Sequence, residues 1–301
     1  MMGKSKLVLF DWAAKRLLRQ KSNFVVLEGF LSSLLGETIR IEKILESEGN
    51  KENASDKFNR VDMLAENSRG EMVIIEVQND RELDYFHRML YGTSKVITEY
   101  IDEGKPYATV KKVYSIHIVY FDLGQGNDYV YHGYTEFRGI HTNDVLQLSA
   151  NQQKQFMYRD VGKLFPEYYV LRVDGFDRQA VTPLDEWISF LKTGDIPEDA
   201  KAGGLPEARE RLRRDRLSKE EQRAYDAHVE ALRYQRSVIQ TGLIEGREEG
   251  LKEGLEKGRK EGFEDGLKSV AERALKNGLS PEAVMELTGL TGEDISSLIC
   301  R

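Results

Sequence analysis

The segment from Met72 to Gln78 constrains the fold more than any other part of the chain. Its sequence, MVIIEVQ, is apolar on both faces until Glu76, a pattern typical of an interior strand that is covered on both sides. Residues two apart in a strand share a face, so Glu76 and Gln78 point one way while Ile75 and Val77 point the other. Because a buried carboxylate is costly unless a cation satisfies it, the sequence predicts an interior strand with a cation beside its acid.

A second acid, Asp62, precedes this strand, and 13 residues separate it from Glu76. The intervening sequence predicts a strand from Phe58 to Ala65, a polar turn over residues 66–70 and then the interior strand. Two strand-borne carboxylates that meet in space would form a hard-oxygen site for Mg²⁺ or Mn²⁺. The short pattern D…E-x-Q is common, however, and is equally compatible with an ordinary hairpin whose ends are solvated.

Composition narrows the kind of protein that this chain can be. No apolar run approaches the about 20 residues that span a bilayer, and the start MMGKSKLVLFDW lacks a signal-peptide core. The single cysteine, Cys300, cannot form an internal disulfide, which favours a cytoplasmic protein with no membrane association. With five histidines, the composition favours an oxygen-bound metal over zinc.

The net charge of −7 argues against a generally basic nucleic-acid binder. The acids are concentrated in the C-terminal tail, so a local basic surface elsewhere remains compatible with nucleic-acid binding.

In the first part of the chain, Ser22 or Asn23 can cap a helix that runs to Leu35, where Gly36 ends it. Thr38 to Glu46 alternates as a first strand.

After the interior strand, the pattern predicts a helix from about Glu82 to Glu103. The residues of its expected buried stripe recur at three- and four-residue steps: Leu83, Phe86, Leu90, Ile97 and Ile101. A second, polar stripe comprises Asp84, Arg88, Tyr91 and Lys95. This polar stripe is either a phosphate-binding face, on which Arg88 and Lys95 contact phosphate and Tyr91 stacks, or an ordinary solvated face.

The middle of the chain carries fewer signals. Lys112 to Asp122 and Tyr129 to Arg138 alternate as strands, and we expect the two to pair as a hairpin. His117 and His132 lie on these strands and are interpreted as packed or surface residues. Residues 140–200 are weakly patterned, except for a helix from Pro183 to Thr193 that Gly194 ends.

The C-terminal third is predicted to be helical. A charged helix spans about residues 207–240, and glycine then recurs every fourth residue at positions 242, 246, 250, 254, 258, 262 and 266. Each glycine costs about 1 kcal/mol against alanine in a helix. The repeat is therefore either a close-packed helical association or a marginal, flexible helical linker. Residues 268–301 have the spacing of a helix-turn-helix, but acids at the start of the last helix favour a packing or partner-binding bundle over a DNA reader.

The order acid, turn, apolar strand and E-x-Q resembles the PD-(D/E)xK nuclease superfamily. It is most similar to the recombination-promoting nuclease or putative transposase branch, which carries glutamine where many relatives have lysine. The resemblance covers about residues 10–125 and resumes in the C-terminal third. Besides the acids, it is carried by Asp11 and Lys15 in the opening FDWAAK, by Lys57 before Asp62, by the segment FHRMLY over residues 86–91 and by the glycine-punctuated tail.

This resemblance implies an α/β fold, with a restriction-endonuclease-like core in which helices flank a mixed central sheet, followed by a helical C-terminal extension. We expect a nuclease-like domain over residues 1–195 and a charged helical linker over 196–240. The glycine repeat over 241–267 and a small helical tail over 268–301 would follow.

The resemblance also implies a Mg²⁺- or Mn²⁺-dependent DNA endonuclease linked to recombination or transposition, with DNA as its partner. The implied catalytic residues are Asp62, Glu76 and Gln78, of which Asp62 and Glu76 hold the metal. Glu28, on the first predicted helix, is the candidate third acid, or else an edge carboxylate paired with arginine or water. Because Gln78 is neutral, the missing positive charge must come from the metal or from a cation such as Lys15, Lys57 or Arg88.

Two alternatives stay open. The chain could be an inactive nuclease-fold module that binds or regulates and self-associates through residues 207–301. It could also be a transposase with a strand-transfer step, since hydrolysis and strand transfer begin with the same attack.

Overall fold

The computed structural model describes residues 7–16, 18–45, 61–101, 106–156, 158–177 and 179–299. The chain divides into two compact units, from Met1 to Tyr225 and from Asp226 to Arg301. Lys57 and Cys300, which the sequence singles out, lie outside the described residues. In the part of the chain that is described, no helix is both long and apolar enough to cross a bilayer.

A six-stranded mixed sheet forms the centre of the first unit, with the strand order β1-β2-β3-β4-β6-β5. The strands are β1 (Ile41–Leu45), β2 (Met63–Asn67), β3 (Met72–Gln78), β4 (Val113–Val119), β5 (Val130–Gly133) and β6 (Glu167–Arg172). β3, β4 and β6 are parallel, whereas β1, β2 and β5 pair antiparallel with their neighbours. The predicted α/β class and the predicted interior strand are both confirmed.

Six α-helices accompany the sheet in the described part of this unit. They are α1 (Phe10–Arg16), α2 (Phe24–Leu35), α3 (Tyr85–Glu99), α4 (Ala150–Phe156), α5 (Pro183–Thr193) and α6 (Leu205–Arg211). α3 covers the sheet face that carries Ile74, which packs with Val96 of the helix. The opposite face of β3 is also buried, as the two-sided apolar pattern predicts.

A close approach between α2 and the start of α6 extends the first unit beyond its predicted end. A Cβ atom on Gly29 would lie 2.0 Å from the carbonyl oxygen of Gly203, so this contact requires glycine. Leu205, Ala208 and Leu212 are fully buried. Residues 196–217 therefore pack as part of the first unit, although the sequence assigns them to a linker.

The prediction that β4 and β5 pair as a hairpin is wrong. β5 pairs antiparallel with β6, with Val130 opposite Leu171, and β6 lies between β4 and β5. The sequence of β6, EYYVLR, falls in the segment that is weakly patterned. A hairpin is the default for consecutive strands, but β4 is covered by the parallel β6, which arrives about 50 residues later.

The predicted buried stripe of α3 is wrong over its first half, whereas Ile97 packs against the core as predicted. Leu83, Phe86 and Leu90 are 90 %, 53 % and 58 % exposed, whereas Tyr85 and Met89 are buried. The physical reason is the polar character of the sheet beneath the helix. Glu76, Ser115 and His117 on that face need hydrogen-bonding partners when they are buried, so α3 turns inward a face that also carries hydroxyl groups.

The second unit contains most of α7 (Lys219–Lys276) and two short helices, α8 (Pro281–Thr288) and α9 (Gly292–Ile299). All seven glycines of the repeat lie inside α7, and a Cβ atom added to any of them would meet nothing within 4 Å. Ala271, Val284 and Ile295 form a small core that joins the end of α7 to α8 and α9. The glycine repeat is thus helical, and none of the described residues covers its glycine row.

Candidate active site

The two predicted acids lie at the same end of the paired strands β2 and β3. Asp62 immediately precedes β2, which pairs antiparallel with β3 so that Met63 lies opposite Ile75. The Oδ2 atom of Asp62 accepts a 2.7 Å hydrogen bond from the backbone N–H of Val77. The turn between β2 and β3 therefore brings Asp62 beside the residue that follows Glu76.

Glu76 is 4 % exposed, and its two carboxylate oxygens have different partners. Oε1 accepts from Nη2 of Arg88 at 2.9 Å, and Oε2 lies 3.4 Å from Nδ1 of His117. The parallel pairing of β3 and β4 places Glu76 directly opposite His117. Arg88 comes from α3, so the site joins two strands and the helix above them.

These partners keep Glu76 ionised despite its burial. Burial alone would raise the pKa of the Glu76 carboxyl, but the hydrogen bond from His117 and the positive charge of Arg88 outweigh it and hold the pKa below its ordinary value. Burial and the negative charge of Glu76 raise the pKa of Tyr85. The site therefore contains a carboxylate beside a phenol that stays protonated.

A buried chain of hydrogen bonds supports Glu76 from below. The Tyr85 hydroxyl lies 3.1 Å from Nδ1 of His117, and Nε2 of the same ring lies 2.8 Å from Oγ of Ser115. Thr93 of α3 donates to that serine at 2.9 Å. This role of His117 does not follow from the sequence, which indicates a packed or surface residue. The available signal is the pair Ser115 and His117, two residues apart in an otherwise apolar strand.

Glu82 connects Gln78 with Arg88. Nε2 of Gln78 donates to Oε1 of Glu82 at 2.9 Å and to the backbone oxygen of Asp80 at 3.2 Å. Nη1 of Arg88 donates to the same Glu82 oxygen at 2.7 Å. Sequence reasoning also misses Glu82, because it precedes α3 and its six-residue spacing from Arg88 matches no helical period.

Glu28 does not reach this site. Its carboxylate accepts from Nη1 of Arg40 at 2.8 Å and from the backbone N–H of Ile41 at 2.9 Å. Ile41 pairs with Asn67 at the far end of β2 from Asp62, about 15 Å away at the rise of a strand. The observed contacts match the alternative of an edge carboxylate, and Glu28 holds the start of β1.

The remaining predicted residues are distributed around the site. Lys15 lies in α1, but its side chain is outside the described part of the structure. The same helix does approach the end of β3, since Nδ2 of Asn79 lies 3.4 Å from Oδ2 of Asp11. Tyr91 and Lys95 follow Arg88 along α3, and Tyr91 is 45 % exposed.

The donor chemistry of the site suits a hard divalent cation. Asp62 and Glu76 offer carboxylate oxygens, which Mg²⁺ and Mn²⁺ prefer. The guanidinium of Arg88 lies beside Glu76, so the protein itself also supplies a cation there. Within the described ranges, no group of three or more His, Cys, Asp or Glu side chains could hold an ion together.

A mixed sheet with Asp62 and Glu76 at the same end of two adjacent strands is the arrangement that the resemblance to nuclease-type α/β proteins implies. Comparison with known families agrees. The sequence model for the PD-(D/E)XK nuclease family transposases matches residues 8–242, and the chain belongs to this family. Membership supports a nuclease- or transposase-related function. No curated protein and no solved structure matches the chain.

Proposed function

We propose that the protein is a divalent-metal-dependent DNA endonuclease that hydrolyses phosphodiester bonds in recombination or transposition. The observation that supports this most directly is the meeting of Asp62 with the Glu76 strand, inside the region that matches the nuclease family. We propose a cytoplasmic location, as the sequence predicts.

Asp62 and Glu76 would hold Mg²⁺ or Mn²⁺. Such an ion activates water for attack and neutralises the negative charge that develops on the phosphoryl oxygens. Glu76 suits this role because its pKa lies below the ordinary value, so the carboxylate is available at neutral pH. Asp62 is positioned by its bond to the backbone of Val77, which is independent of side-chain rearrangement.

Gln78 would orient the attacking water. Both hydrogen bonds of its amide nitrogen go to protein oxygens, one to Glu82 and one to Asp80. Its carbonyl oxygen is then the atom that can accept a hydrogen bond from water. This use of glutamine supplies orientation without positive charge, so another group must neutralise the phosphate.

Arg88, Tyr91 and Lys95 would contact the DNA backbone from α3. Their spacing places all three on neighbouring turns of the helix. Arginine suits this role because its planar fork can bind two phosphate oxygens. Arg88 would supply the cation that the superfamily's lysine provides elsewhere.

Plasmid nicking tests the proposal. Purified protein with Mg²⁺ or Mn²⁺ should nick supercoiled DNA, and Asp62→Ala or Glu76→Ala should abolish nicking. Glu28→Gln is the matched control, because Glu28 binds Arg40 at the other end of β2 and its loss should leave nicking in place. Equal cleavage by the wild type and both alanine variants would instead indicate a contaminating nuclease or a different site.

The second candidate is a nuclease-fold binding module without turnover. The pairing of Arg88 with Glu76 and the net charge of −7 favour it. Thermal unfolding separates the two, since a ligand that binds only the folded state raises its stability. A chain that gains no stability from millimolar Mg²⁺ or Mn²⁺ and cuts no DNA belongs to this second class.

A further inference from the structure

Arg88 occupies the carboxylate that a metal ion would need. Its Nη2 atom lies 2.9 Å from Oε1 of Glu76, and its Nη1 atom lies 2.7 Å from Oε1 of Glu82. Its guanidinium carbon also lies 5.9 Å from the centre of the Tyr85 ring, within range of a cation–π contact. Two carboxylates and one ring thus hold a single positive charge at the site.

A guanidinium and a divalent ion that approach the same Glu76 oxygen oppose each other. They would compete for its lone pairs, and like charges at contact distance repel each other strongly where little water screens them. The burial of Glu76 makes some cation necessary, and Arg88 meets that need when no metal is bound. Metal binding at this oxygen therefore weakens the bond between Arg88 and Glu76.

We propose that Arg88 is an internal counter-cation that competes with the divalent metal for Glu76 and, once displaced, is free to bind a DNA phosphate. This inference rests on the proposed function, since it takes Glu76 as a metal ligand. It also assigns one side chain two successive partners, first a carboxylate of the chain and then a phosphate of the substrate.

Glu82 is placed to keep the displaced arginine near the site. The Glu82 side chain is 32 % exposed, against 5 % for Glu76. Arg88 can therefore keep its ion pair with Glu82, at the solvent-facing side of the site, after it leaves Glu76. Because Glu82 also binds Gln78, movement of Arg88 alters the partner of the residue that would orient water. Glu82 is a positioning residue in this scheme, and Arg88 is the group that touches the substrate.

Competition of this kind has a measurable consequence. Metal must overcome the Arg88–Glu76 pair, so the wild-type protein binds metal more weakly than a variant without that pair. DNA that engages Arg88 removes the competitor, so metal and DNA bind with positive cooperativity.

The test is the affinity of the full-length protein for Mn²⁺, followed by electron paramagnetic resonance of the free ion in the absence of DNA. Arg88→Met keeps a long side chain but removes the charge, and should bind Mn²⁺ about tenfold more tightly than the wild type, which corresponds to about 1.4 kcal/mol. Arg138→Met is the matched control, because Arg138 pairs with the exposed Glu136 and its loss should not change the affinity.

The outcomes separate the inference from the proposed function. Binding of Mn²⁺ to Arg88→Met at the wild-type affinity or more weakly overturns the inference while leaving the metal site intact. The Asp62→Asn substitution tests the metal site itself. The proposed site fails if neither the wild type nor Arg88→Met shows Mn²⁺ binding that is lost when Asp62 is replaced.

A second variant covers the case in which Arg88→Met does not fold. Arg88→Lys keeps the charge but cannot contact Glu76 and Glu82 with a planar fork, and it should bind Mn²⁺ more tightly than wild type by a smaller factor. Circular dichroism of each variant establishes that it is folded. An affinity for Arg88→Lys equal to or below that of wild type contradicts the inference.

Discussion

At the scale of single residues, His117 connects the buried polar groups of the site through its two ring nitrogens. It lies between Glu76, Tyr85 and Ser115, and it is 1 % exposed. Each of these groups would be left with an unmet hydrogen bond if the imidazole were removed. A buried polar group without a partner costs about 1–3 kcal/mol.

We expect His117→Phe to lower the free energy of unfolding by about 1–3 kcal/mol, because the tyrosine and serine hydroxyls lose their common partner. Urea unfolding followed by circular dichroism measures the change. His141→Ala, at an exposed histidine, is the control and should be neutral within about 0.5 kcal/mol. A neutral His117→Phe would show that these hydroxyls find other partners.

The site residues differ in how far the sequence could reveal them. Asp62 and Glu76 follow from a local pattern, since a two-sided apolar strand and the turn before it fix where both acids lie. Glu82 does not, because its role depends on a contact with α3 that no periodicity encodes. For His117, the two-residue spacing from Ser115 indicates a buried polar face but not the partners of the ring. Arg88 is an intermediate case, in which helical spacing indicates the polar stripe but not that one member turns to Glu76.

Glu167 is a second buried carboxylate with several cationic partners. It is 2 % exposed and accepts from Lys112 and Lys163, each at 3.0 Å, with His132 at 2.8 Å. Burial alone would raise the pKa of this carboxyl, but the hydrogen bonds from the two lysines outweigh it and lower the pKa to about 2.

This pKa predicts a specific acid sensitivity. The folded state holds the proton less tightly than the unfolded chain, whose value is about 4.5, so the stabilisation is present above about pH 4.5 and is lost as the pH falls toward 2. Glu167→Gln should flatten the pH dependence of the melting temperature in that window. Glu198→Gln, at an exposed carboxylate, should leave the wild-type slope, and equal slopes in all three proteins would contradict the assignment.

At the scale of elements, locally encoded features are predicted best. The bounds of β3 and α5 match the sequence prediction, because an apolar run, a capping threonine and a terminating glycine act within a few residues. The pairing of β5 and the buried face of the first half of α3 are set by distant partners, and both predictions are wrong. α3 carries two apolar faces, and the polar sheet beneath it selects the one with hydroxyl groups.

The two faces of α3 can be compared directly with alanine. Met89→Ala should lower the free energy of unfolding by about 2–5 kcal/mol, as expected for a buried side chain. Leu90→Ala, one residue later and 58 % exposed, should change it by less than about 0.5 kcal/mol. Denaturant titration of both variants makes the comparison, and a larger loss for Leu90→Ala would show that its face is covered in solution.

At the scale of the whole molecule, the glycine repeat bears on self-association. Along α7, Leu251, Leu255 and Phe263 are exposed, and the seven glycines would each favour an open chain by about 1 kcal/mol relative to alanine. Association with another copy would offset this cost, whereas a flexible linker would simply tolerate it.

Replacing Gly250, Gly254 and Gly258 together with alanine separates these interpretations. Alanine stabilises an isolated helix, but its Cβ atoms would hold two close-packed backbones apart, so an associated wild type should dissociate on substitution. Sedimentation velocity of the full chain measures this, with Glu256→Ala as a control on the same helix. A wild type that is monomeric throughout the concentration range would reject association.

The strand order has a consequence for how this protein is made. β5 leaves the ribosome before β6, yet it can only join the sheet by pairing with β6. Until residue 172 has emerged, the exposed flank of β4 offers unpaired backbone groups to any neighbouring nascent chain. Because the chain is synthesised from its N-terminus, about 50 further residues must be added after β4 before β6 can pair with it. We expect chains that are truncated within this interval to be prone to aggregation.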